Sequence, residues 1–257
     1  MKRGVSNRTR AATRWLLPAV VLLLASCAGS DTAQDHAKRG LEFKTKEQYP
    51  EALEEFNKAL AKSPEEAEIL NSRALIYAIT HQFDLALKDF DHAITMNPNY
   101  ALAIKNRGRV HFYVGNYREA ADDMRKGGAV DPKNLYVGIW QYLAQQRLGE
   151  DGMSELAAGM QRADSTAWPM PIAKFINGTF TEAQLDSAAL LSNTTAPQPN
   201  LCHAFYPAEH ALVKHDTALA RTRYDAVEKH CVKTSTEYLA TVEQLSRLGG
   251  GAGTVAK

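Results

Sequence analysis

Two Cys–His dipeptides stand in the C-terminal part of the sequence, Cys202-His203 and His230-Cys231. Two thiolates with two imidazoles are the ligand set of a tetrahedral zinc centre, and the same cysteines can instead form a disulfide or stay free thiols. Adjacent side chains on a helix project about 100° apart, which works against both members of a pair reaching one ion. Glu54-Glu55 and Asp122-Asp123 have the form of acid–base carboxylate pairs, but each lies in a stretch dense in Lys and Arg and reads as a solvated helix face. His203, His210 and His215 make no i, i+4 set, and the sequence holds no Gly-rich phosphate loop, GxSxG, HExxH or CxxC motif. No catalytic constellation emerges. The expectation is a non-enzymatic protein with neither cofactor nor metal.

A different set of chemical groups recurs with a fixed period. Arg39, Arg73 and Arg107 are spaced by 34 residues, and so are three related segments: "QYPEALEEFNKALAKSP" at 48–64, "QFDLALKDFDHAITMNP" at 82–98 and "NYREAADDMRKGGAVDP" at 116–132. With the frame opened at Ala33, position 8 is Gly40, Ala74 and Gly108, and position 20 is Ala52, Ala86 and Ala120. Position 24 is Phe56, Phe90 and Met124; position 27 is Ala59, Ala93 and Gly127; position 32 is Pro64, Pro98 and Pro132. Small residues at 8, 20 and 27 let two antiparallel helices approach. The large apolar residue at 24 fills the groove to the next helix, and proline at 32 ends the second helix for want of an N–H. Arginine at position 7 is expected to build a packing or ion-pair ladder between units.

This pattern resembles the tetratricopeptide repeat (TPR), a helix–turn–helix unit that stacks into α-solenoids because one copy cannot bury its own apolar face. The expected fold is therefore all-α, with three consecutive units over 33–134. Residues 135–200 read as a degenerate helix pair ending near "TAWPMP", two short helices and the linker "SNTTAPQPN"; "TEAQ" at 181–184 reads as a capping box. A divergent hairpin follows over 201–234, with Ala208, Ala220 and Tyr224 at positions 8, 20 and 24. A capping helix opened by "TSTE" covers 235–248, and 249–257 is a polar tail expected to be disordered. In the TPR family, positions 2, 5, 9, 12 and 13 face a concave groove. The resemblance implies that Lys44, Asn71, Lys105, Arg109, Phe112 and Tyr113 face a bound peptide there.

The first residues are not fold. Lys2, Arg3, Arg8, Arg10 and Arg14 precede the apolar run "WLLPAVVLLLAS", which is too short for a permanent span, and the run ends at "LASC". This resembles a bacterial lipobox, which implies a signal peptide over 1–26, acylation of Cys27 and a tether over 27–32. Removing the five basic residues takes the formal charge from +1 to about −4, which leaves no basic balance suited to nucleic acid. Ala28, in place of an aspartate, favours the outer membrane, facing the periplasm. In that oxidising compartment Cys202 and Cys231 read as a disulfide, which an antiparallel hairpin would allow; free thiols and zinc remain the alternatives.

"WPMP" at 168–171, "CHAFY" at 202–206, Cys231 and "EY" at 237–238 resemble landmarks of the NlpI-like outer-membrane TPR lipoproteins, although His203 stands where that pattern has Glu and Pro207 should kink or shift its helix. The resemblance implies an adaptor for cell-wall hydrolases and the proteases that control them, with homodimerisation. An assembly factor or pilotin for an outer-membrane machine, and a metal- or small-ligand-binding protein, are the other readings.

Overall fold

The computed structural model describes residues 31–192 and 199–249. The leader, Cys27, most of the 192–200 linker and the tail beyond Gly249 lie outside them. Among the described residues the chain is α-helical throughout, with one 3-10 segment and no strand. Three regular hairpins come first: α1 (Ala33–Thr45) with α2 (Tyr49–Lys62), α3 (Ala67–Ile79) with α4 (Phe83–Met96), and α5 (Ala101–Val114) with α6 (Tyr117–Val130). A fourth pairs α7 (Leu135–Arg147) with the shorter α8 (Met153–Arg162). Then come α9 (Met170–Ile176), α10 (Glu182–Ser192) and a 3-10 turn over Pro199–Ala204 that runs into α11 (Phe205–Val213). The chain finishes with α12 (Thr217–His230) and α13 (Thr236–Arg247).

The periodic residues do what their spacing predicts. Phe56, Phe90 and Met124 are buried between hairpins, and Ala52, Ala86 and Ala120 lie beneath them. A Cβ added at Gly40 would come within 2.8 Å of the Phe56 ring, so that helix approach requires glycine. The second helices end at Lys62, Met96 and Val130, two residues before Pro64, Pro98 and Pro132. Pro50 occupies the first turn of α2, where its missing N–H is not needed. The turn residue at position 15 is left-handed in all five frames: Glu47, His81, Gly115, Gly149 and His215 have φ of 58°, 58°, 87°, 72° and 63°. The fourth and fifth hairpins thus keep the turn geometry of the first three, although their other positions have drifted.

The position-7 arginines form the expected ladder, and its acceptors correct another expectation. Arg73 grips Asp89 with two bonds of 2.7 and 2.8 Å and reaches back to Asn57 Oδ1 at 2.7 Å. One unit later, Arg107 grips Asp123 with two bonds of 2.7 Å and reaches Asp91 at 2.7 Å. Arg39 makes the equivalent bond to Glu55 at 2.7 Å. Glu55 and Asp123 are therefore buried ladder acceptors, not members of solvated faces as the local charge density suggested. Burial alone would raise the Glu55 pKa, but bonds from Lys58, His36 and Arg39 outweigh it and hold the group down to about 2. Of their neighbours, Glu54 is exposed and Asp122 half-buried.

The C-terminal half departs from a plain stack in two places. The first helix of the fifth frame begins as a 3-10 turn, and Pro207 falls in the first turn of α11, where an absent N–H costs nothing. The last helix is capped by Ser235, whose side chain accepts from the Tyr238 N–H, and not by Thr234; the box "TSTE" is not formed. Glu237 is instead taken up by Tyr206, whose hydroxyl donates to it at 2.7 Å. At Thr181 the expected reciprocal box is present, with Thr181 N–H to Gln184 Oε1 at 2.8 Å and Gln184 N–H to Thr181 Oγ1 at 3.3 Å.

Candidate functional site

The first helices of the hairpins line the concave face, and α13 turns back across it. Leu239, Ala240 and Leu245 of α13 are buried. Arg147 at the end of α7 donates to Gln244 Oε1 at 2.9 Å, Arg247 donates to the Tyr113 carbonyl of α5, and His81 meets Glu243 at 3.1 Å. A helix expected to cap the end of the stack therefore fills part of the groove. Its apolar side, Leu239, Ala240 and Leu245, is buried there, and Gln244, Glu243 and Arg247 find polar partners on α7, the turn after α3 and α5.

Where α13 stops, a cavity of about 350 Å³ remains, bounded by α1, α3, α5 and the first turns of α13. Leu75, Ile79 and Leu239 give it an apolar wall; Lys44 and Arg109 give it two cations. Arg109 is held in place by a short relay. Its Nη1 donates to Asn106 Oδ1 at 3.1 Å, and Asn106 Nδ2 donates to Asn71 Oδ1 at 3.1 Å. Arg109 Nε is buried and has no hydrogen-bond partner. The arrangement suits an acceptor, such as a carboxylate or peptide carbonyl, attached to an apolar group.

The six residues placed in the groove by resemblance separate accordingly. Lys44, Arg109 and Tyr113 line the cavity. Tyr113 is nearly covered: its ring tilts against Phe83 at 6.0 Å, and burial pushes its hydroxyl pKa well above the usual value. Asn71 is buried and supports Arg109 through Asn106 without reaching the cavity wall. Lys105 turns toward its own hairpin, pairing with Asp131 at 3.1 Å and lying over Gly127, which has no side chain to block it. Phe112 is core, edge-on to Trp140 at 5.1 Å and Tyr117 at 5.3 Å. Lys105 and Phe112 are thus corrections: glycine at position 27 and the bulky Trp140 redirect side chains that the general repeat pattern sends inward. Leu75 and Ile79 occupy groove positions 9 and 13 of the second unit and were legible there; Leu239 comes from outside the repeat frame and carries no periodic signal.

Cys202 and Cys231 Sγ atoms stand 1.99 Å apart, bonded as a disulfide between the 3-10 turn and the end of α12. His203 Nε2 faces Asp186 at 2.8 Å. Among the described residues no group of three or more His, Cys, Asp or Glu side chains is gathered to hold a metal ion, and no helix is long and apolar enough to cross a membrane.

No protein-family model matches the chain. Solved structures do. A tetratricopeptide repeat protein from Parabacteroides merdae superposes with a TM-score of 0.54 at 19% identity, over 84% of this chain and 86% of that one. The fold is a TPR solenoid. Pseudomonas aeruginosa PilF gives a TM-score of 0.52 at 15% identity, covering 80% of this chain and 94% of its own. PilW, described as a widely conserved type IV pilus biogenesis factor, gives 0.50 at 17% identity, over 80% and 96%. At such identities the likeness concerns the TPR fold.

Proposed function

We propose that this TPR protein is a lipid-anchored adaptor of a bacterial cell envelope. It would face the periplasm and hold a short segment of a partner protein in the cavity beside α13. The observation that carries this reading is Arg109, fixed by Asn106 and Asn71 with a buried, unpartnered Nε, in a recess that sets apolar Leu75, Ile79 and Leu239 beside Lys44, Glu47 and the hydroxyls of Thr45, Thr234 and Thr236. A TPR scaffold supplies binding surface rather than reacting groups. Cys27 would carry the lipid, as the basic leader, apolar run and "LASC" suggest. The NlpI-like landmarks favour cell-wall hydrolases and their controlling proteases as partners, and a homodimer. The PilF and PilW likenesses give a second reading, an assembly factor for an outer-membrane machine.

Two variants test the two halves of the proposal. Cys27→Ala should move the protein from the membrane to the soluble periplasmic fraction; unchanged membrane retention would sink the anchor. Arg109→Gln should weaken partner capture about ten- to a hundred-fold, the worth of a charge-assisted hydrogen bond in a partly dry site. Its helical signal and melting curve should hardly change. The readout is mass spectrometry of proteins crosslinked in cells to the detergent-solubilised chain. Hydrolases or a protease support the first reading, and pilus or pore subunits the second. Capture that survives Arg109→Gln moves the site elsewhere.

A further inference from the structure

The concave surface beneath α13 is distinct from the open cavity, and the way α13 sits on it is unusual for a permanent core helix. Beside Leu239, Ala240 and Leu245, the helix buries Thr241 and Gln244 completely or nearly so. Thr241 Oγ1 is buried with no hydrogen-bond partner. Glu237, in the first turn, is held by Tyr206, and burial raises its pKa. A helix fixed for good would gain by carrying an apolar residue in place of Thr241, since an unpaired polar group in a dry contact opposes docking. The remaining polar holds are side-chain bonds: Arg147 to Gln244, whose amide nitrogen also donates to the Tyr117 hydroxyl at 3.5 Å, Arg247 to the Tyr113 carbonyl, and His81 to Glu243. Any helix with acceptors at the same places can replace the first of them and the Tyr206 bond.

The root of α13 is fixed covalently, while its body is held by packing and side-chain bonds alone. Cys231 ends α12 in the disulfide with Cys202, and Ser235 Oγ, the N-cap of α13, lies 2.9 Å from Cys231 Sγ and 3.4 Å from Cys202 Sγ. Residues 232–235 therefore form a short hinge on a covalent post. A helix leaving the groove by this hinge stays tethered beside it and competes for it at high local concentration.

We propose that α13 is a detachable stand-in ligand, and that the surface it covers on α5 and the end of α7 is a docking surface for an amphipathic helix of a partner. The partner helix carries α13's own pattern: a carboxylate in its first turn for Tyr206, small and apolar residues in the middle, and an amide acceptor two turns on for Arg147. Displacing α13 removes Leu239 from the wall of the open cavity and joins the two surfaces into one groove from α1 to α7. Partner binding then has two stages, a segment in the open cavity and a helix in the place of α13.

Hydrogen exchange on the intact, oxidised chain tests detachment directly. Residues 236–247 should exchange at least about 100-fold faster than α12, because a locally opening helix exchanges without global unfolding. Thr241→Val, which removes the unpaired hydroxyl and keeps the Arg147 hold, should slow that exchange about tenfold. A fluorescein-labelled peptide with the sequence of residues 233–249 serves as the docking probe. It should bind the full-length Leu245→Asp variant at least about tenfold more tightly than the wild type, in which the tethered helix competes. Gln244→Ala, which removes the Arg147 and Tyr117 holds, should give an intermediate affinity if Leu245→Asp does not fold. Exchange of α13 as slow as that of α12, or a probe that binds none of the variants or all equally, overturns the proposal.

Discussion

Replacing Arg107 by alanine is expected to destabilise the array by about 3–5 kcal/mol, the range for removing one partner of a buried ion pair. Asp123 would be left with only 3% of its surface exposed and no cation, having lost both of its 2.7 Å bonds. The same arginine ties Asp91 of the preceding hairpin to this one, so the loss falls on an interface between units as well as within a unit. Asp91→Ala gives the internal comparison. That carboxylate is 62% exposed, and a surface bridge of this kind contributes about 0–1 kcal/mol. Removing both buried partners, as Arg107→Met with Asp123→Ala, should recover much of the stability, because no charge is then stranded. Urea melts monitored by circular dichroism measure all three. Equal, small losses for Arg107→Ala and Asp91→Ala would show that the ladder is not a buried network.

Period explains why so much of this was readable and why some was not. The positions that decide the fold, such as Phe56, Phe90 and Ala86, repeat at one interval and serve the same contact each time, so three copies identify the role. Arg107 was legible in the same way, but its partner was not: Asp123 sits in a run of charges, and nothing local distinguishes the buried carboxylate from its half-buried neighbour Asp122. The candidate site fared less well because it depends on departures from the period. Phe112 occupies a position the family aims at the groove, yet Trp140 of the next unit draws it into the core. Lys105 bends toward Asp131 across Gly127. The fold-back of α13 leaves no trace in the frame at all, since its partners Arg147, Tyr206 and His81 lie between 31 and 162 residues away along the chain. Long-range side-chain pairing of single residues has no pattern to read.

Cutting the Cys202–Cys231 bond, by reduction or as Cys202→Ser with Cys231→Ser, is expected to cost the C-terminal half about 3–4 kcal/mol, from the chain entropy of a closed loop of about 30 residues. The bond joins the 3-10 turn that leads into α11 to the end of α12, so it closes the hairpin of α11 and α12 at its open end. The first three hairpins do not touch it. Stacked repeats unfold as neighbouring units rather than as one body, so the melt of the reduced protein should divide in two. The earlier phase should fall by roughly 7–15 °C, at about 2–4 °C per kcal/mol, and should carry α11 to α13; the later phase, from α1 to α6, should hold its temperature. The order of events also bears on the groove. With the post gone, α13 loses its fixed root before the concave face of the first units is disturbed, and the open surface on α5 should appear while that helix is still folded. Differential scanning calorimetry with and without reductant, paired with hydrogen exchange of α5 and α13, resolves the two phases. A single transition unmoved by reductant would mean that the hairpin holds its place by packing alone, and that the bond anchors nothing beyond its own ends.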